Sequence, residues 1–113
     1  MFSRIFQIKK LNVITPDDYQ ELIKQKKKHV LLDVRREDEF AISHILGANL
    51  LPLHEIETKI ETLYPDKETV YILYCRSGVR SQDALKLMLH LGYQHVYDLG
   101  GIIDYPFEIE TSS

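Results

Sequence analysis

The sequence predicts an α/β fold with a mainly parallel β-sheet flanked by helices on both faces. Three observations carry that prediction. Two continuous apolar runs, Val30-Leu-Leu-Asp-Val34 and Val70-Tyr-Ile-Leu-Tyr74, lack the polar alternation of a half-exposed strand. They read instead as parallel strands buried on both faces. Segments with apolar residues at helical spacing alternate with them: Tyr19, Leu22 and Ile23, then Leu53, Ile56, Ile60 and Leu63, then Ala84, Leu87, Met88 and Leu91. The intervening loops are of ordinary length, as in repeated strand–helix–strand units.

Taken in order, Phe2, Ile5, Phe6 and Ile8 form an apolar lead-in expected to be an edge strand or a packed arm, and Val13-Ile14 is expected to enter the sheet. Thr15-Pro16-Asp17-Asp18 is a helix start, with Thr15 as N-cap, Pro16 at the first helical position and acids against the dipole. Lys24, Lys26, Lys27 and Lys28 crowd its end, where cations complement the dipole. In the strand that follows, Asp33 must sit at the strand exit or be paired, because an unpaired buried carboxylate is costly. Arg35 to Glu39 fall at that strand's carboxyl end, where α/β proteins build their sites. Arg35 is expected to pair with Glu39, and is also a candidate to lend positive potential to a neighbouring pocket.

A short helix is expected from Asp38 to Ile42, breaking before His44. Asn49 to Leu51 reads as a short strand, and Glu55 and Lys59 form an i,i+4 pair on the next helix. Tyr64-Pro65-Asp66-Lys67 turns the chain into the Val70 strand. After the last helix, Gly92 stands where a C′ residue belongs, His95 to Leu99 is a further strand, and Gly100-Gly101 permits close backbone approach or positive φ. The final Glu-Thr-Ser-Ser is expected to fray.

Length and composition bound the function. The chain has 113 residues, 44% apolar and 27% charged, which suits one soluble globular domain. A net charge of −3 argues against nucleic-acid binding, which needs a basic footprint. No apolar run approaches the roughly 18 residues that span a membrane. The first ten residues lack the long apolar stretch of a signal peptide. The single cysteine, Cys75, cannot form an internal disulfide, and a free thiol suits a reducing compartment, so the cytoplasm is the expected location. His29, His54, His90 and His95 have no metal-ligand spacing with that cysteine.

The chemistry centres on the tight loop from Cys75 to Arg80, between the second apolar run and the last helix. A loop there points unpaired backbone N–H groups at whatever occupies its mouth. Gly78 allows unusual φ/ψ, so successive N–H groups converge into an anion-binding nest. Arg76 and Arg80 add two full positive charges to that of the helix dipole. A thiol at the centre is expected to exist substantially as the nucleophilic thiolate. Cys75 is therefore the candidate catalytic residue, and Arg76, Ser77, Gly78, Val79, Arg80 and Arg35 are the candidates for binding an anionic substrate.

Cys75-Arg-Ser-Gly-Val-Arg80-Ser81 resembles the active-site loop of the rhodanese family of sulfurtransferases. Leu32-Asp-Val-Arg35 with Glu39-Phe40, His44-Ile-Leu-Gly-Ala48 leading to Leu51-Pro52, and Leu99-Gly-Gly101 agree with it in order and spacing. The resemblance covers about residues 12–105 and implies a rhodanese-like fold over the single domain 1–113. It further implies transfer of sulfane sulfur from a small anionic donor, such as thiosulfate, to a thiol or protein-cysteine acceptor through a persulfide on Cys75, with no cofactor. It assigns His44 to shaping the turn into the next strand, although Ser43 stands where family members usually carry glycine. Tyr105-Pro106 stands where they commonly have tryptophan.

Two other functions fit part of this pattern. Cysteine phosphatases and arsenate reductases of related fold hold an oxyanion in a similar nest, but with five residues between Cys and Arg; here four intervene, Arg76 to Val79, a ring suited to a single sulfur atom. Non-catalytic rhodanese-like regulatory modules typically lose the cysteine, which this chain keeps.

Overall fold

The structure is a computed structural model that describes residues 12–112. The apolar lead-in from Phe2 to Ile8 lies outside the described residues. Four parallel strands make the central sheet in the order β3-β1-β4-β5: β1 (Val30–Asp33), β3 (Asn49–Leu50), β4 (Val70–Cys75) and β5 (His95–Gly101). Helices α1 (Pro16–Lys24), α2 (Glu37–Ile42), α3 (Leu53–Leu63) and α4 (Val79–His90) connect or precede them. A second, two-stranded sheet pairs β2 (Ser43–Ile45) antiparallel with β6 (Ile109–Thr111). The α/β fold with a mainly parallel sheet is thus the one the apolar runs predict.

The two-residue period of a strand explains why both apolar runs are continuous. Leu32 and Val34 of the β1 run, with Tyr71, Leu73 and Cys75 of β4, pack on one face with Ile56 and Ile60 of α3 and Ala84 and Met88 of α4. Leu31, Ile72 and Tyr74 point the other way and pack with Tyr19 of α1 and Ile45. Every residue of β4 after Val70 is buried, so the sheet needs apolar side chains on both faces. Helix α1 begins as its sequence requires, with the Thr15 hydroxyl accepting from the Asp18 N–H at 3.0 Å. Its predicted face is narrower than expected: Tyr19 is buried but Ile23 is exposed. Leu63, near the end of α3, is also exposed.

Three departures bear on the site. The last helix starts at Val79, so Val79 and Arg80 form its first turn and the open loop shrinks to Arg76–Gly78. The terminal segment is not frayed through Thr111, because β6 pairs Thr111 with Ser43 and the Ser112 N–H reaches the Ile42 carbonyl at 2.9 Å. Strand β5 continues through the glycine pair, with a register shift against β4: Leu73 lies opposite Asp98 but Tyr74 opposite Gly100. One extra residue, Leu99, creates a bulge, and Gly100 takes it up with φ +97°. The shift brings Gly101 opposite Cys75.

Candidate active site

Cys75 ends β4, an interior strand, with 1% of its surface exposed. The chain wraps around the sulfur. Gly78, at φ +103°, turns the backbone in the left-handed region and occupies the N-cap position of α4. Its N–H consequently points back at Cys75 Sγ, 3.0 Å away. The Ser81 N–H, in the first turn of α4 and without a helical partner, reaches the same sulfur at 3.4 Å. Two backbone donors at a helix N-terminus thus converge on one atom, an arrangement that favours negative charge there. The Ser81 hydroxyl lies 3.5 Å from Sγ and donates to the Gly78 carbonyl at 3.2 Å.

Gly101 holds this loop from behind. A Cβ at that position would meet the Arg76 carbonyl oxygen at 2.4 Å and Ser77 Cα at 2.7 Å. Only glycine lets β5 and the loop approach so closely. The Ile103 N–H then donates to the Arg76 carbonyl at 3.2 Å, fastening the loop to the turn after β5.

The arginines divide into two kinds. Arg80 is clamped by Glu39, its two guanidinium nitrogens 2.7 and 3.0 Å from the two carboxylate oxygens. The Arg80 hydrogen bonds, opposed by partial burial, hold the Glu39 carboxyl down at about 2. Arg76 is exposed and has no ion pair among the described residues. Ser77 and Val79 are exposed beside it, Val79 to 68%.

Arg35 does not pair with Glu39. Its guanidinium is bidentate to Asp33, with Nη2 2.7 Å from Oδ2, and Nη2 also donates to the Ser43 carbonyl at 2.6 Å. The reason is local: in extended backbone residues i and i+2 share a face, so Asp33 and Arg35 meet before Glu39 comes into reach. At 4% exposure Arg35 is buried, not on the rim of the loop mouth. Tyr74 completes this cluster, its ring 5.7 Å from the Arg35 guanidinium and its hydroxyl accepting from the Ile45 N–H at 2.9 Å. Burial first, and the Asp33 charge second, push the Tyr74 hydroxyl well above the usual tyrosine range. It therefore stays protonated.

His44 is occupied at the β2–β6 sheet: its ring stacks on Phe40 at 3.8 Å, and its nitrogens face the Phe40 carbonyl at 3.0 Å and Glu110 at 2.9 Å. Ser43 has extended backbone, φ −162°, so the site does not require a glycine. Among the described residues no group of three or more His, Cys, Asp or Glu side chains could hold a metal ion. No described helix is long and apolar enough to cross a membrane.

The fold and the loop together define a class: an α/β protein with a single cysteine held in a backbone N–H nest at the carboxyl end of an interior parallel strand. The family model described as "Rhodanese-like domain" matches residues 15–105, and the chain belongs to that family. It is 36% identical over 73 residues to the thiosulfate sulfurtransferase PspE of Escherichia coli, covering 65% of this chain and 70% of that protein. It is 36% identical over 98 residues to the adenylyltransferase and sulfurtransferase UBA4 of Candida albicans, covering 80% of this chain but only 22% of that longer protein. Among solved structures, a thiosulfate sulfurtransferase from Pseudomonas aeruginosa superposes with a TM-score of 0.81 at 30% identity, over 90% of this chain and 20% of that one. A rhodanese-like domain protein from Staphylococcus aureus gives 0.78 at 27% identity, over 91% and 100% respectively.

Sequence reasoning located Cys75, Gly78 and the two loop arginines but missed Glu39 as the partner of Arg80 and Ser81 as a side chain against the sulfur. Ser81 had a signal: a hydroxyl in the third residue of a helix whose N-terminus faces a cysteine.

Proposed function

We propose that the protein is a sulfurtransferase in which Cys75 carries sulfane sulfur from a small anionic donor such as thiosulfate to a thiol or protein-cysteine acceptor. The observation that supports this most directly is the convergence of the Gly78 and Ser81 N–H groups on Cys75 Sγ. In the first half-reaction the Cys75 thiolate attacks the outer sulfur of thiosulfate. A sulfur–sulfur bond forms, the donor's own sulfur–sulfur bond breaks, and sulfite leaves with its electron pair. In the second, an acceptor thiolate attacks the outer sulfur of the persulfide and the Cys75 thiolate departs, ready for another cycle. Sulfur is relayed with no cofactor.

The N–H groups are already in place, so they stabilise the anionic sulfur at each stage without reorganising. Arg76, exposed beside the loop, draws the anionic donor in, while Ser77 and Val79 line the approach. Arg80 and Arg35 act through position, by bracing the loop against Glu39 and the β1 exit against Asp33. The names of the relatives PspE and UBA4 agree with this chemistry. A lone free thiol fits a reducing compartment, and we assign the cytoplasm. Turnover of thiosulfate with cyanide as acceptor is the test. We expect it in the unmodified protein and its loss in a folded Cys75→Ser variant. Retained turnover in that variant, or hydrolysis of an aryl phosphate that depends on Cys75, would contradict the reading.

A further inference from the structure

The two half-reactions above give the Ser81 side chain no task, yet it touches the reacting atom. Ser81 is 0% exposed, and its Oγ has two neighbours: Cys75 Sγ at 3.5 Å and the Gly78 carbonyl at 3.2 Å. A hydroxyl has one proton and two acceptor lone pairs, and its proton rotates to suit its partners. With Cys75 as a thiol, the S–H donates to Oγ and the hydroxyl proton rests on the Gly78 carbonyl, so every group is satisfied. That carbonyl bond, from a helical Ser to the backbone three residues earlier, is an ordinary local one.

Ionisation changes the balance. Once the thiol proton has left for water, Oγ would present a lone pair to a buried anionic sulfur, and low local dielectric makes that repulsion costly. Rotation about the Cβ–Oγ bond turns the hydroxyl proton from the Gly78 carbonyl to Sγ. It replaces the repulsion with a charge-assisted hydrogen bond, the stronger kind. Gly78 is only half-buried, so water can take over its carbonyl. The Ser81 N–H already fixes the same residue to the sulfur, so no backbone movement is needed.

We propose that Ser81 is a catalytic hydroxyl that accepts from the Cys75 thiol and, after rotation, donates to the Cys75 thiolate. Under the sulfurtransferase reading, on which this part rests, it serves twice: when Cys75 attacks the donor and when Cys75 leaves as the acceptor takes the outer sulfur. Ser81 carries no proton away and undergoes no covalent change.

The test uses three variants of the full chain. Ser81→Ala removes the hydroxyl, while Ser81→Thr and Ser81→Val have nearly the same shape and differ in the hydroxyl alone. Because Cys75 is the only thiol, alkylation by iodoacetamide and the ultraviolet absorbance of the thiolate report on it without ambiguity. We expect the Ala variant to be alkylated at neutral pH about tenfold more slowly than the unmodified protein, the effect of one hydrogen bond to a charged group. The Val variant should lag the Thr variant by a similar factor, with thiolate absorbance reduced in the same variants. Unmodified alkylation and absorbance in a folded Ala variant, or equal values for Thr and Val, overturn the assignment. If Ala does not fold, the Thr–Val pair decides. Alkylation needs no sulfur donor, so failure of the unmodified protein to take sulfur from thiosulfate would refute the sulfurtransferase reading and leave Ser81 separately judged.

Discussion

The loops leaving β1 and β4 lie at the same end of neighbouring strands and treat charge in opposite ways. From Asp33 to Glu39 the chain is dense with full charges, and most of them are held in ion pairs. Arg35 is held by Asp33 at 2.7 Å, Arg36 lies on Asp38 at 3.0 Å, and Glu39 reaches across to Arg80 at 2.7 Å. From Cys75 to Ser81 there is no carboxylate at all, and what faces the sulfur is a pair of backbone N–H dipoles and the Ser81 hydroxyl. The difference teaches how a buried sulfur is accommodated here. Fixed backbone dipoles answer the sulfur directly, requiring no counter-ion and no backbone movement. The guanidiniums of Arg35 and Arg80 hold the loops in shape, and Arg76 keeps its charge free on the outside.

The comparison breaks most severely at Gly101. In Gly101→Ala the new Cβ would lie against the Arg76 carbonyl and Ser77 Cα, both backbone, so the loop must move and carry the Gly78 N–H off the sulfur. Displacements of the order of 1 Å cost about a hundredfold in well-oriented chemistry, and overpacking costs about 1–3 kcal/mol of stability. Sulfur loading and alkylation should both collapse while the melting temperature falls moderately. Loading near the unmodified rate would show that the N–H nest is not what activates Cys75.

A smaller effect sharpens the other side. Glu39 is held at about 2 by Arg80, below its ordinary 4.5, so its ionised form is favoured by folding. The stability it supplies is complete above about pH 4.5 and is lost as pH falls toward 2. Glu39→Gln keeps the shape and removes the charge, at an expected cost of about 1 kcal/mol for a partly exposed pair near neutral pH. Melting curves of the two proteins should lie apart at pH 6 and converge as pH falls toward 2. Because Arg80 braces and does not touch the sulfur, alkylation should fall only a fewfold. A loss as large as that of Gly101→Ala would mean the guanidinium, not the dipoles, dominates.

How much of this could be read in the sequence depended on how local its cause was. The Thr15-Pro16 start of α1, the two apolar runs and the Cys75–Gly78 turn rest on residues a few positions apart, and pattern reasoning reached them. The β2–β6 sheet rests on partners 66 residues apart, such as His44 and Glu110, and its strands are three residues each, with β6 exposed throughout, so periodicity carried no signal. Arg35 is expected to pair with Glu39 across the loop, whereas the backbone there is extended and Asp33 is the neighbour. The Leu99 bulge is a register event between strands, so the glycine pair was legible as needed but its job, bringing Gly101 against the Arg76 carbonyl, was not.

The central claim is that Cys75, cradled by N–H dipoles, carries sulfur in a covalent bond. It is tested most directly by incubating the protein with thiosulfate, desalting it and following its intact mass. With no second cysteine in the chain, nothing within it can discharge a persulfide by thiol exchange. The account predicts one added sulfur that persists after the donor is removed, disappears promptly on addition of a thiol, and never forms in Cys75→Ser. No mass increase in the unmodified protein, or spontaneous loss of the sulfur with no acceptor present, would contradict it.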